Sequence, residues 1–141
     1  MPDHNPVGES IVTVLKESRT VAIVGMSNKP ERDSNMVGRY LQAHGYRVIP
    51  VNPTQTEILG EVCYASLQAI GEPVDIVDIF RKPDAIAAVV DDAIAIGAKV
   101  VWMQLGLAHH VAAEKARAAG LEVVQSKCLK VEHEKMLRLP E

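Results

Sequence analysis

Val21-Ala22-Ile23-Val24-Gly25-Met26-Ser27-Asn28-Lys29-Pro30-Glu31-Arg32-Asp33-Ser34-Asn35 is the stretch that decides how this chain folds. It opens as a short apolar run, turns at Gly25, and passes into the helical spacing Val37, Tyr40, Leu41. A strand that stops at a small-residue loop and resumes as a helix aims backbone N–H groups and the positive end of a helix dipole at one point. Phosphate binds to such an arrangement. The loop is not the dinucleotide fingerprint G-x-G-x-x-G, because Met26, Ser27, Asn28, Lys29 and Pro30 follow Gly25 and supply neither further glycine.

Outward from this stretch, apolar runs short enough to be buried strands recur at Arg47 to Val51, Val74 to Phe80, Val100 to Leu105 and Leu121 to Val124. Helical or helix-compatible segments lie between them, and Ile11, Val14 and Leu15 mark an amphipathic helix ahead of the first strand. The clearest helix carries Ile86, Val89, Val90, Ala93 and Ile94 behind Lys82-Pro83-Asp84. Pro83 suits a first helical position, where a missing N–H costs nothing, and Asp84 suits the positive end of the dipole. Gly45, Gly97 and Gly120 each stand after a helical stretch and before a strand, where a helix stop wants a positive φ. Strands alternating with helices predict right-handed βαβ units: an α/β, Rossmann-like three-layer fold with a five-stranded parallel sheet and helices on both faces. The expected strand order is 3-2-1-4-5.

The 141 residues fit one domain spanning 1–141 and suffice for a real core. Aromatics make up only 4%, so Val, Ile, Leu and Ala must fill that core, as in a parallel sheet covered on both faces. A net charge of −3 argues against a nucleic-acid partner, which needs a basic field. No apolar run approaches the roughly 20 residues of a membrane span, and Met1-Pro2-Asp3-His4-Asn5-Pro6 lacks a signal-peptide pattern. Cys63 and Cys128 have no metal-ligand spacing, and a cytoplasmic chain, the expected class here, keeps them reduced.

In parallel sheets of this kind the ligand crevice lies beyond the carboxyl ends of the strands, at the switch point beside the first strand. That rule selects four segments: Gly25 to Asn35, Asn52 to Thr56, Phe80 to Asp84, and Gln104 to His110. In the first, Ser27 and Asn28 offer short side chains beside free backbone N–H groups, Lys29 and Arg32 add positive charge, and Ser34 is placed to cap the following helix. The plain alternative is a solvated surface loop. At the end of the second strand, a nicotinamide enzyme usually carries Asp or Glu for the adenosine ribose. Here Asn52-Pro53 stands instead, either a strand terminator or a neutral border that leaves room for a phosphate. Phe80-Arg81-Lys82 puts two adjacent cations at the tip of a buried strand. The crevice is thus expected to be cationic and free of carboxylates.

Other candidates carry less. His109 and His110 open a helix, with no Asp or Glu at ligand spacing to suggest a metal. Cys128 lies between Lys127 and Leu129-Lys130, where the lysines would favour a thiolate, although a small buried hydrophobe is the plainer reading. Asp75 and Asp78, three apart in one strand, face opposite sides of the sheet. No triad and no paired carboxylates mark a catalytic centre.

Taken together, Gly25-Met26-Ser27-x-x-Pro30-x-Arg32-x-Ser34, Gly45-Tyr46-Arg47-Val48-Ile49-Pro50-Val51-Asn52-Pro53 and Ile58-Leu59-Gly60 resemble the small coenzyme A-binding proteins. Their domain is similar to the N-terminal domain of the succinyl-CoA synthetase alpha subunit. Val77 to Pro83, Trp102-Met103-Gln104-Leu105-Gly106 and Cys128 to His133 extend the match over nearly the whole chain. The resemblance implies coenzyme A, or an acyl-CoA, as ligand. By it, Gly25, Met26 and Ser27 would lie against the pyrophosphate and pantetheine arm, with Lys29, Ser34 and Asn35 in the same loop, and Arg32 would pair with phosphate. Asn52 and Pro53 would border the adenosine, Phe80, Arg81 and Lys82 would line its other side, and Gln104 and Gly106 would complete the site. Thr54 and Gln55 stand where many relatives carry Lys or Arg. The synthetase's phosphohistidine belongs to other domains, so His109 and His110 do not inherit that role. The expected function is therefore non-catalytic binding of coenzyme A or an acyl-CoA in that crevice. The alternatives are an NAD(P)-binding protein or oxidoreductase, or a redox-regulatory module in which Cys63 or Cys128 forms a mixed disulfide with the CoA thiol.

Overall fold

The computed structural model describes residues 8–140, so the polar start Met1 to Pro6 lies outside the described residues. The elements run α1 (Gly8–Glu17), β1 (Thr20–Val24), α2 (Asp33–Ala43), β2 (Arg47–Val51), β3 (Glu57–Ile58) and β4 (Glu61–Val62). They continue with β5 (Ile76–Ile79), α3 (Ile86–Ala95), β6 (Val100–Met103), α4 (His110–Ala118), β7 (Glu122–Val124) and α5 (Leu129–Leu137). The expected α/β architecture is present. β2, β1, β5, β6 and β7 form one parallel sheet, with α1, α2 and α5 packed on one face and α3 and α4 on the other. Strand residues alternate accordingly: Val21, Ile23, Ile76 and Trp102 join the first layer, and Ala22, Val24, Val77 and Met103 the second. Gly45, Gly97 and Gly120 take φ values of +89°, +73° and +94°, the helix stops that their positions suggested. Among the described residues no helix is long and apolar enough to cross a membrane.

The strand order differs from expectation. Numbering the five long strands along the chain, the sheet reads 2-1-3-4-5 and not 3-2-1-4-5, because β5 pairs directly with β1. Two features decide this. The Asp75 carboxylate accepts from the N–H groups of Arg19 and Thr20 at 2.8 and 3.0 Å, which ties the start of β5 to the start of β1. The outer edge of β2 is meanwhile closed by Tyr64, which pairs with Val51 in a single parallel bridge. Tyr64 follows the β3–β4 hairpin, whose two-residue turn, Leu59-Gly60, has positive φ at both positions.

α5 is seated by side chains with polar ends. The Trp102 indole N–H donates to the Lys127 carbonyl at 2.7 Å, just before the helix starts, and Trp102 itself is fully buried. Further along, buried His133 shares a 2.8 Å hydrogen bond with the Tyr40 hydroxyl of α2, and the rings of His44 and Tyr46 stand edge-on to it. Burial, followed by the neighbouring His44, holds the His133 imidazole below its usual pKa.

Among the described residues Asp78 is the one buried polar side chain left without a hydrogen-bond partner. It lies mid-sheet between Ile23 and Trp102, fully buried, and neither carboxylate oxygen has a hydrogen-bond partner. Desolvation therefore pushes its carboxyl well above the usual carboxylate range. A folded state that holds this proton while the unfolded chain releases it near pH ~4 loses stability as pH rises, by about 1.4 kcal/mol per pH unit until the folded carboxyl ionises. Urea unfolding between pH 4 and 8 should show Asp78→Asn gaining on the wild type as pH increases. Parallel curves would mean that Asp78 does not carry its proton into the fold.

Candidate functional site

The site is built where β1 ends. Gly25 has φ +87°, and its N–H donates to the Val51 carbonyl of β2 at 2.9 Å. On the other side, the Phe80 N–H donates to the Val24 carbonyl at 2.9 Å. A Cβ at Gly25 would collide with the Phe80 carbonyl oxygen and lie 2.8 Å from Arg81 Cδ. The corrected strand order makes this contact: with β5 beside β1, the switch point falls between Gly25 and Phe80.

The loop after Gly25 is held by its own polar groups. The Ser27 N–H donates to Ser34 Oγ at 2.9 Å, the Lys29 N–H to Ser27 Oγ at 3.0 Å, and Asn35 Nδ2 to the Ser27 carbonyl at 2.9 Å. Two expectations change as a result. The N–H groups of Ser27 and Lys29 are used inside the loop, and Ser34 braces it without capping α2, whose N-cap is Arg32 with no side-chain cap bond. The first-turn N–H groups of α2 are thus left uncapped by any side chain. Asn52 ties the second loop to the first: its Nδ2 donates to the Met26 carbonyl at 2.9 Å, while its Oδ1 accepts from the N–H and hydroxyl of Thr54.

Three hollows meet at Phe80. One of about 350 Å³ is bounded by Gly25, Asn52, Pro53, Arg81 and Lys82. The next, of about 410 Å³, is bounded by Gly25, Ser27, Lys29, Glu31, Arg32, Asp33 and Ser34. The third, of about 440 Å³, is largely apolar and includes Gln104, whose Oε1 accepts from the Leu129 N–H at 3.1 Å. Most of the residues selected from the sequence therefore line these three neighbouring hollows. Met26, Asn35 and Gly106 do not. Met26 is fully buried beneath α2, Asn35 is buried as a brace, and the Gly106 N–H donates to Ser126 Oγ away from the hollows. Larger hollows elsewhere, such as that between α1 and α5, bring no comparable set of cations together.

The crevice is cationic but not free of carboxylates, contrary to expectation: Glu31 and Asp33 line the middle hollow beside Lys29 and Arg32. Charge there is balanced, so the excess positive potential sits with Arg81 and Lys82 at the Asn52 end. Among the described residues none of these four cations has an ion-pair partner. His109 is structural, its Nδ1 accepting from the Ala112 N–H at the start of α4. The described residues hold no cluster of His, Cys, Asp and Glu fit for a metal ion. Cys63 is buried and bonded to the Asn52 carbonyl, and burial pushes its thiol pKa up, whereas Cys128 lines the apolar hollow.

The model of the CoA binding domain matches residues 19–134, a span that includes every one of these loops. The chain belongs to the CoA binding domain family. It is similar to the uncharacterized Bacillus subtilis protein YneT, at 38% identity over 92% of this chain and 96% of the relative. A hypothetical protein from Pyrococcus horikoshii superposes with a TM-score of 0.90 at 42% identity, covering 97% of this chain and 99% of that one. The CoA binding domain also resembles part of acetyl-coenzyme A synthetase 1 from Ca. Korarchaeum cryptofilum. That match has a TM-score of 0.65 and 25% identity, over 74% of this chain and 25% of the synthetase.

The Gly25 contact is open to a direct test. Gly25→Ala forces a side chain into positive φ and against a backbone carbonyl, so urea unfolding should register a loss of about 1–3 kcal/mol. An unchanged midpoint would show that β1 and β5 have slack at this end.

Proposed function

We propose that the protein holds coenzyme A in the crevice around Phe80 and does no chemistry on it. One observation carries this reading: the polarity of the crevice runs in the same order as that of coenzyme A. The free cations Arg81 and Lys82 stand beside Asn52 and Pro53, where an adenosine and its 3′-phosphate would lie. The uncapped first turn of α2, with Lys29 and Arg32, faces the next hollow, which suits a pyrophosphate. Beyond Phe80 the walls turn apolar, as an arm ending in a thiol requires. Arg81 and Lys82 take the place of the basic residue missing after Asn52-Pro53. Support for a binding role comes from how the acid–base groups are used: His109 caps a helix, His133 is bonded to Tyr40, and Glu31 and Asp33 are exposed beside cations.

Calorimetry with CoA, dephospho-CoA and NAD tests the reading. CoA is expected to bind tightest, with affinity falling as salt rises. Arg81→Ala and Lys82→Ala should erode the preference for CoA over dephospho-CoA, and Arg32→Ala should weaken both by roughly 1.5–3 kcal/mol if it bonds the pyrophosphate. Tighter binding of NAD, or no heat with CoA up to millimolar concentration, would overturn the proposal.

A further inference from the structure

In holding free coenzyme A the third hollow receives only the end of the arm, which leaves most of its apolar wall without an occupant. Its walls are Met36, Phe80, Leu105, Leu107, Cys128 and Val131, with Asp33 and Lys130 among the polar residues beside them. Three of the apolar side chains are left open to water: Leu105 is 72% exposed, Val131 41% and Met36 39%. Single exposed apolar residues are ordinary, but several gathered around one concavity mark a surface that something covers. The hollow is also firmly built. Gln104 at its edge is fixed by the Leu129 N–H, and α5, which supplies Val131 and starts just after Cys128, is anchored through Trp102 and His133.

Continuity identifies the occupant. The hollow shares Asp33 and Phe80 with the phosphate-side hollow, so a ligand arm leaving the first turn of α2 passes Phe80 directly into it. We infer that the ligand is a coenzyme A thioester whose short apolar acyl chain rests against Met36, Leu105 and Val131. The inference rests on the coenzyme A reading above and adds the chemical class of the carried group. At about 440 Å³ the hollow lies at the small end of the ligand-pocket range and must also admit the end of the arm. A chain of a few carbons fits that space, and a long fatty chain does not. A protein partner is the competing occupant, but it would leave the link to the phosphate-side hollow unexplained.

Calorimetry on the full chain with CoA, acetyl-CoA, butyryl-CoA, hexanoyl-CoA and palmitoyl-CoA reads the inference directly. Affinity should rise roughly two- to fourfold per added methylene through the short chains, since full burial of one methylene corresponds to about fourfold. It should level off before palmitoyl-CoA. Leu105→Ser and Val131→Ser, both at exposed positions, should bring the hexanoyl-CoA to CoA affinity ratio down towards one, with circular dichroism checking that the variants fold. Equal affinity for CoA and all its thioesters would overturn the acyl assignment and leave coenzyme A binding intact. Failure of every ligand, CoA included, would remove the underlying reading as well. Self-association abolished by Leu105→Ser, with no chain-length dependence, would assign the hollow to a second copy of the chain.

Discussion

The close approach of Gly25 to the Phe80 carbonyl is the constraint from which the rest of the site follows. β1 is the strand from which the chain departs in both directions, with β2 on one side and β5 on the other, so their ends converge on Gly25, the residue that follows it. Convergence that tight leaves no room for a Cβ, and the positive φ of Gly25 steers the chain out of the sheet and into α2. The Asn52 loop and the Phe80-Arg81-Lys82 tip thereby stand on either side of one glycine. The crevice owes its position to backbone packing before any ligand-facing side chain is considered.

Around that point, polar groups divide into two kinds. Ser34, Asn35 and Asn52 spend their hydrogen bonds on backbone atoms of the loop and so fix its shape. Lys29, Arg32, Arg81 and Lys82 are exposed and make no ion pair with another described residue, which leaves their charge open to an anion. An anion bound there would meet exposed cations over a hydrogen-bonded floor, a division that would limit the ordering cost of binding to a few long side chains. The opposed charges of Glu31 and Asp33 shift the electrostatic weight towards the Asn52 end of the crevice.

Much of this could be read from the sequence because it is local. The strands show as runs of branched apolar residues, the helix stops as glycines, and the crevice segments as whatever follows each strand. Strand order is not local. It depends on the Asp75 carboxylate finding the N–H groups of Arg19 and Thr20, a contact across more than fifty residues with no sequence period to announce it. The β3–β4 hairpin and the Tyr64 bridge escaped for a related reason, since strands of one or two residues show no alternation. Met26 lies in the loop and Ser34 in the first turn of α2, yet both are buried, which residue type alone does not reveal. The burial of Asp78 was equally hidden, because an aspartate within an apolar strand reads the same whether or not it has a partner.

Trp102 is the chain's single tryptophan, and its indole N–H is tied to the Lys127 carbonyl immediately before the helix that walls the apolar hollow. Its surroundings are dry, so its emission is that of an indole screened from water. The protein thus contains a native optical gauge of how firmly α5 is seated. A ligand entering behind Phe80, or a change that lifts the helix, alters the environment of one chromophore with no competing tryptophan signal, and no label is needed to see it.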